Sequence, residues 1–338
     1  MSGPMLMREI GNSGVKTSGV GLGTWAIGGW MWGGTDEADS IKCIHAAVDN
    51  GMNLIDTAPI YGFGRSEEIV GKAIKGRRDE VVVATKCGLV WHTDRGQFFF
   101  KSGEENIGVG GDIYTVHQYL GPESIRYEVE LSLKRLQVDT IDLYQTHWQE
   151  STTPIADTMA VLLKLKDEGK IRAIGVSNAT AEHMDEYRAV GVLDCDQERY
   201  SMIDPKVEEE ILPYCADNNI GFLAYSPIGQ GLLTGKLGPD RTFDETDQRS
   251  RGKRFSVENR ERVASLLAEI QPIADAHDIT LAQLVIAWTV HQRGSTHALV
   301  GARTIQQAEE NAAAGDVVLT DDELTTVRAA IESHRDIR

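Results

Sequence analysis

The chain has 338 residues, 41% of them hydrophobic and 25% charged, which is the composition of a folded globular protein and excludes a disordered one. Its 51 acidic and 34 basic residues give a formal net charge of −17. That balance argues against nucleic acid or an anionic membrane as partner, because both require a basic face.

The chain opens with two short runs, Met5–Ile10 and Val15–Thr17, around Gly11-Asn12-Ser13-Gly14. They predict a β-hairpin. No basic stretch followed by an apolar core stands in the first thirty residues, so no signal peptide is expected. Apolar runs then alternate with helical segments. Asn53–Ile55, Val81–Thr85, Ile141–Tyr144, Ile171–Val176, Cys195–Arg199, Gly221–Tyr225 and Ala298–Gly301 read as strands. The purest, Val81–Thr85, is mostly β-branched and almost wholly apolar, which fits a strand buried on both faces. Between them the sequence predicts helices over Asp36–Asp49, Ser66–Ile74, Pro122–Leu136, Pro154–Glu168, Ala181–Val190, Val207–Asp217, Val257–His277 and Leu281–Gln292. Asp36 stands as an N-cap, and Pro122-Glu123 puts proline and an acid in a first turn. Asp321-Asp322-Glu323 marks the start of a terminal helix.

Strand ends recur at a regular interval: Thr24 to Asp56 is 32 residues, Asp56 to Lys86 is 30, and His147 to Asn178 is 31. Lys86 to His147 is 61, one period plus an insertion at Trp91–Leu120 that carries Phe98-Phe99-Phe100. About eight βα units in one chain predict a (β/α)8 TIM barrel over residues 1–338, with an N-terminal hairpin and extended loops at the mouth. The rival, a doubly wound dinucleotide sheet, needs a GxGxxG loop after its first strand, and neither Gly19-Val20-Gly21-Leu22-Gly23 nor Gly229-Gln230-Gly231 has that spacing. The segment Gly238–Arg254 is expected to be a mobile loop.

In such a barrel the C-terminal strand ends carry the chemistry. Asp56, Lys86 and His147 fall at strand ends, and Tyr61 lies in the loop beyond Asp56. Singly, each has an ordinary structural explanation; together they form a coherent set. A tyrosine hydroxyl with its usual pKa of about 10 exchanges protons poorly at neutral pH, and a neighbouring ammonium lowers that value. A carboxylate holds the ammonium, and a histidine positions a substrate oxygen. No HExxH and no Cys/His cluster of zinc spacing appears, so no metal site is expected. The four cysteines, Cys43, Cys87, Cys195 and Cys215, read as reduced thiols, which suits the cytoplasm.

The same residues carry a family resemblance. Gly51–Gly62 (GMNLIDTAPIYG), Val83–Lys86 (VATK), Asp142–His147 (DLYQTH), Gly169–Asn178 (GKIRAIGVSN), Leu223–Lys236 (LAYSPIGQGLLTGK) and Val300–Asn311 (VGARTIQQAEEN) resemble, in order, the blocks of the aldo-keto reductases, in the bacterial branch related to the potassium-channel β subunits. The likeness runs from about Met7 to Thr325. It implies an NADP(H)-dependent oxidoreductase that reduces a neutral aldehyde or ketone, with a sugar among the candidates. Tyr61 would be the general acid, Lys86 its neighbouring cation, Asp56 the partner of Lys86, and His147 the group orienting the carbonyl. It further implies that Tyr225 stacks on the nicotinamide, that Ser177, Asn178 and Gln197 hold its carboxamide, and that Thr24 and Trp25 border the same site. Ser226, Pro227, Ile228, Gly229, Gly231 and Leu232 would wrap the pyrophosphate, with Lys236 and Arg249 as phosphate cations. Gly301, Arg303, Gln307, Glu310 and Asn311 would hold the adenosine end. Gly301, Ala302 and Gln307 depart from the lysine, serine and arginine that grip a 2′-phosphate in the mammalian enzymes, which leaves Arg303 for that role and NAD(H) as the alternative. Trp25, Tyr61, Trp91, His147 and Trp148 are the candidate substrate walls. Oxidation of a sugar or alcohol with NAD, or a cofactor-binding regulatory subunit, are the alternatives to the reductase. A small molecule is the expected partner, and the oligomeric state stays open.

Overall fold

The computed structural model describes residues 5–103 and 112–337. A hairpin of β1 (Met7–Glu9) and β2 (Lys16–Ser18) precedes the barrel. The barrel strands are β3 (Val20–Gly23), β4 (Leu54–Asp56), β5 (Val82–Cys87), β9 (Ile141–Thr146), β10 (Ile171–Ser177), β11 (Cys195–Arg199), β12 (Gly221–Tyr225) and β13 (His297–Gly301). Each pairs in parallel with the next, and β13 closes onto β3. The helices are α1 (Glu37–Asp49), α2 (Arg65–Ala73), α3 (Pro122–Leu136), α4 (Ile155–Asp167), α5 (Ala181–Val190), α6 (Ile211–Asp217), α7 (Val257–Ala276), α8 (Leu281–His291), α9 (Ile305–Ala313) and α10 (Asp321–Ser333). The eight-stranded parallel barrel with its helices is the TIM-barrel architecture that the strand spacing predicts.

Strand alternation sorts the barrel residues into two sets. Leu54, Val82, Ala84, Leu143, Ala173, Cys195, Leu223 and Leu299 point inward and pack on one another. Their neighbours Ile55, Val83, Tyr144, Ile174, Phe222 and Ala298 point outward into the layer shared with the helices. The hairpin plugs the lower end, where Ile10 and Val15 join the inner set. Gly11, at φ +52, lies against the Asp194 carbonyl, where any Cβ would collide.

The insertion is more ordered than the sequence suggests. Three antiparallel strands, β6 (Leu89–Val90), β7 (Gln97–Lys101) and β8 (Thr115–Gln118), pair in the order β6-β8-β7. They stand beside the mouth with Leu89, Val116 and Phe100 packed among Trp30, Ile60 and Phe63. The expected helix over Val207–Asp217 divides into a 3-10 turn, Lys206–Glu208, and α6. The segment Gly238–Arg254 is pinned rather than loose. Asp247 bridges Trp32 in antiparallel fashion, Gln248 N donates to Met31 O at 3.0 Å, and Arg260 Nη1 donates to the carbonyls of Gly238 and Arg241. Among the described residues no helix is long and apolar enough to cross a membrane.

Candidate active site

The inward set ends, at the mouth, in polar residues. Two residues beyond Leu54 and Ala84 the same faces of β4 and β5 present Asp56 and Lys86. Lys86 is wholly buried, and its Nζ donates to Asp56 Oδ1 at 2.7 Å, to Thr57 O at 3.0 Å and to the Tyr61 hydroxyl at 3.4 Å. All three ammonium protons therefore have an acceptor within reach. Tyr61 sits in the β4–α2 turn, where its N–H donates to Ala58 O. Gly28 presses on this turn, and a Cβ there would meet the Tyr61 carbonyl carbon at 2.6 Å. His147 lies just beyond β9, its ring edge-on to Tyr61 with centroids 5.8 Å apart.

The electrostatics differ in one respect from the sequence expectation. Lys86 was expected to bring the Tyr61 hydroxyl down, yet burial, with Asp56 second, pushes it well above its ordinary value. The ammonium lies closer to Asp56 than to the phenol, so it neutralises the carboxylate first. Tyr61 is thus held as the protonated phenol, a donor. Burial, and then Lys86, hold His147 well below the usual imidazole range. A neutral ring keeps one N–H to donate.

Asp56 has a further shell that sequence reasoning did not find. Gln197 Nε2 donates to Asp56 Oδ2 at 2.9 Å, and Gln145 Nε2 lies 3.4 Å from the same oxygen. The signal for Gln145 was available, since it is the inward residue two positions before His147. Gln197 was assigned to a cofactor amide, and it stands on the cavity wall while its Nε2 serves Asp56.

A cavity of about 1300 Å³ opens over these groups. Its floor carries Asp56, Tyr61 and His147, and its walls Thr24, Trp25 and Trp148. It continues past Ser177, Asn178, Gln197 and Tyr225, along Ser226, Pro227, Ile228 and Gly231, to Gly301, Arg303, Gln307, Glu310 and Asn311. Asn178 Nδ2 donates to His147 O at 2.9 Å, and Tyr225 donates to Asn178 Oδ1 at 3.0 Å, so this end is already linked to the floor. Three expected wall residues lie elsewhere. Trp91 packs behind the wall against Phe63 and Tyr114, while Trp30, Trp32 and Phe98–Phe100, also candidates from the sequence, line the cavity. Gly229 and Leu232 are buried beneath the loop, where Leu232 joins the outer core.

The cations are committed. Lys236 Nζ binds both oxygens of Glu310, at 2.9 and 2.7 Å. Arg249 forks onto Asp247, its nearest contact being 2.7 Å, and lies over the rings of Trp32 and Phe243. Arg303 donates to Trp32 O at 3.0 Å and Gly34 O at 2.8 Å. Gly229, Gln230 and Gly231 are consecutive left-handed residues, and the N–H groups of Gly229 and Gly231 donate to Ser226 O at 2.8 Å and Ile228 O at 3.0 Å. The cavity's volume and its amide-bearing end together fit a long dinucleotide. Among the described residues no group of three or more His, Cys, Asp or Glu side chains could hold a metal.

Fold and site define an oxidoreductase barrel, and comparison with known proteins gives the family. Residues 19–332 match the aldo/keto reductase family, and the chain belongs to it. It is 43% identical over 304 residues to the aldo-keto reductase YhdN of Bacillus subtilis, covering 89% of this chain and 86% of that one. It is also 43% identical over 330 residues to the NADH-specific methylglyoxal reductase of Escherichia coli, covering 96% and 98%. The glycerol dehydrogenase AKR11B4 of Gluconobacter oxydans superposes with a TM-score of 0.85 at 39% identity, over 99% of this chain and 97% of that one. A Klebsiella pneumoniae aldo/keto reductase in complex with NADP and acetate gives 0.71 at 28% identity, over 97% and 95%.

Proposed function

We propose that this aldo/keto reductase reduces a small neutral aldehyde or ketone to its alcohol with a nicotinamide dinucleotide, Tyr61 giving the proton. The observation that carries the reading is the buried Asp56–Lys86 pair set 3.4 Å below the Tyr61 hydroxyl, with His147 beside it on the floor of one cavity. The nucleotide, when bound, supplies the hydride. The chain's own residues do the rest. A substrate carbonyl oxygen sits between the Tyr61 hydroxyl and the His147 N–H, both donors as the geometry holds them. As charge grows on that oxygen Tyr61 releases its proton, and Lys86 stabilises the phenolate left behind. The aromatic wall of Trp25, Trp30, Trp32 and Trp148 excludes water and suits a neutral substrate. Methylglyoxal and glycerol, named for two relatives, are the first compounds to try in the two directions. Four buried free cysteines agree with a reducing compartment such as the cytoplasm.

Ser177, Asn178 and Tyr225 form the nicotinamide end in this reading, the Gly229–Gly231 turn the pyrophosphate seat, and Arg303 with α9 the adenosine end. Arg303 makes NADP(H) the first reading, since its guanidinium stands at that end without a carboxylate partner among the described residues. NAD(H) is the second, favoured by the engagement of Lys236 with Glu310 and of Arg249 with Asp247. Titration of tryptophan fluorescence with NADPH and NADH tests both. Under the first reading Arg303→Ala weakens NADPH about tenfold or more and leaves NADH within about twofold. Equal changes for the two nucleotides would transfer the assignment to NAD(H). A chain that binds neither would overturn the function itself.

A further inference from the structure

Alternation along β11 has a second consequence. Cys195 and Gln197 face the barrel interior, so Asp196 and Glu198 face the other way, toward the helical layer. Both are carboxyl groups, and they face one another. Asp196 is fully buried, and neither of its oxygens has a hydrogen-bond donor among the described residues. Burial and the neighbouring Glu198 both favour the protonated form of Asp196. Glu198 has one firm partner: its Oε1 accepts the Ala179 N–H at 2.7 Å. Ala179 follows Asn178, which adopts a left-handed φ of +55. Asparagine takes that form more readily than most residues, and the Ala179 N–H bond to Glu198 follows directly on it. Asn178 in turn contacts His147 O, Ser177 Oγ and the Tyr225 hydroxyl.

We propose that Glu198 is a positioning residue that fixes the Asn178–Ala179 turn, and with it the Asn178 carboxamide at the nicotinamide end, through the bond its Oε1 accepts from the Ala179 N–H. The proposal rests on the reading of the cavity as a nicotinamide nucleotide site. Glu198 touches neither nucleotide nor substrate in it; Asn178 does.

The groups around the pair define the titration. Lys206, from the 3-10 turn before α6, is the cation near Glu198, Cys215 on α6 lies near both carboxyl groups, Tyr225 on β12 lies near Glu198, and Cys195 is next to Asp196 in the chain with its side chain on the inner face. Burial, and then Glu198, hold Asp196 well above the carboxylate range, and burial raises Glu198 to about 7. Asp196 therefore keeps the proton at neutral pH. Glu198 is a carboxylate above about 7 and a neutral acid below it. A charged acceptor holds an amide N–H about twice as strongly as a neutral one. The turn is thus held firmly on the alkaline side and loosened on the acid side.

The test is a pH series of nucleotide dissociation constants, read by tryptophan quenching with NADH and NADPH from pH 5.5 to 8.5. In the wild type the constant rises about fivefold as the pH falls through 7. Glu198→Gln keeps an acceptor for Ala179 but cannot titrate, so its profile is flat over that range while its fold is retained. Glu198→Ala binds about tenfold more weakly at pH 8, raising KM for nucleotide more than it lowers kcat, and Gln restores most of that loss. A Gln variant that keeps the wild-type pH profile, or an Ala variant that binds at pH 8 like the wild type, would overturn the proposal and leave the nucleotide site intact. A wild type that binds neither nucleotide would overturn both.

Discussion

Lys86 shows how much depends on a single buried group. It is fully enclosed, it compensates Asp56 at 2.7 Å, and it reaches Tyr61 from the same position. Breaking a buried pair by removing one partner typically costs about 3–5 kcal/mol, because the other charge is left uncompensated. Lys86→Met is therefore expected to lower unfolding free energy by about that amount in urea. Adding Asp56→Asn should return part of the loss, since no bare carboxylate then remains. Tyr61→Phe removes only a hydroxyl. It is expected to lower kcat by about 10² to 10⁴, the usual share of a positioned acid, with nucleotide affinity within about twofold. A Phe variant with wild-type turnover would remove Tyr61 from the mechanism. The convergence of Asp56, Lys86 and His147 was legible because strand ends recur every thirty or so residues. The partners of Asp56 were not. Alternation says that Gln145 and Gln197 point inward, but only the stagger of neighbouring strands sets which carboxylate they meet, as Lys86 opposite Gln145 shows.

Elements repeat the lesson at larger scale. The barrel strands announce themselves as apolar runs, because each is covered on both faces. The sheet β6-β8-β7 does not. Its strand β7 leaves Phe98 63% exposed while Phe100 packs inward, so the Phe98-Phe99-Phe100 run carries no alternation to read. The charged segment Gly238–Arg254 was hidden for a related reason. What orders it is a contact across the mouth, between Asp247 and the loop of Trp32, more than two hundred residues earlier. Asp247 accepts from the Arg249 main chain at 2.9 Å and from its guanidinium at 2.7 Å, and Arg249 lies over Trp32. Local opening of such a strap costs what its few contacts supply. Asp247→Ala is expected to speed tryptic cleavage at Arg249, Arg251 and Arg254 about tenfold, with little change in global unfolding. Unchanged cleavage would show that packing, not this carboxylate, holds the segment.

Over the whole molecule, buried titratable groups of opposite sense set a pH optimum. Burial holds His147 well below the imidazole range and His297 at about 3. Both take up a proton on unfolding once the pH falls below the unfolded value of about 6.5, so acid favours the unfolded chain. Burial raises Glu128 to about 8 and Glu198 to about 7. A carboxyl with a raised folded value contributes stability below its unfolded value of about 4.5 and loses it as the pH rises through the folded one. The carboxyl loss begins at about 4.5 and the histidine gain ends at about 6.5, so the melting temperature is expected to peak between about pH 4.5 and 6.5. A formal charge of −17 steepens the alkaline limb, because self-repulsion grows as the last carboxyl groups ionise. Salt screens that repulsion, so raising NaCl from 20 to 500 mM should raise the melting temperature more at pH 8.5 than at pH 6. Glu128 accepts the Gly88 N–H on Oε2 at 2.9 Å and the Ser124 hydroxyl on Oε1 at 3.0 Å; a glutamine keeps the first through its oxygen and donates its amide N–H to the Ser124 hydroxyl in place of the second. Glu128→Gln should then recover about 2–4 °C at pH 8.5 and nothing at pH 5. Calorimetry across pH 5 to 9 decides the matter: a melting temperature that climbs steadily to pH 9, or a Gln variant parallel to the wild type throughout, would mean that these carboxyl groups do not govern the alkaline limb.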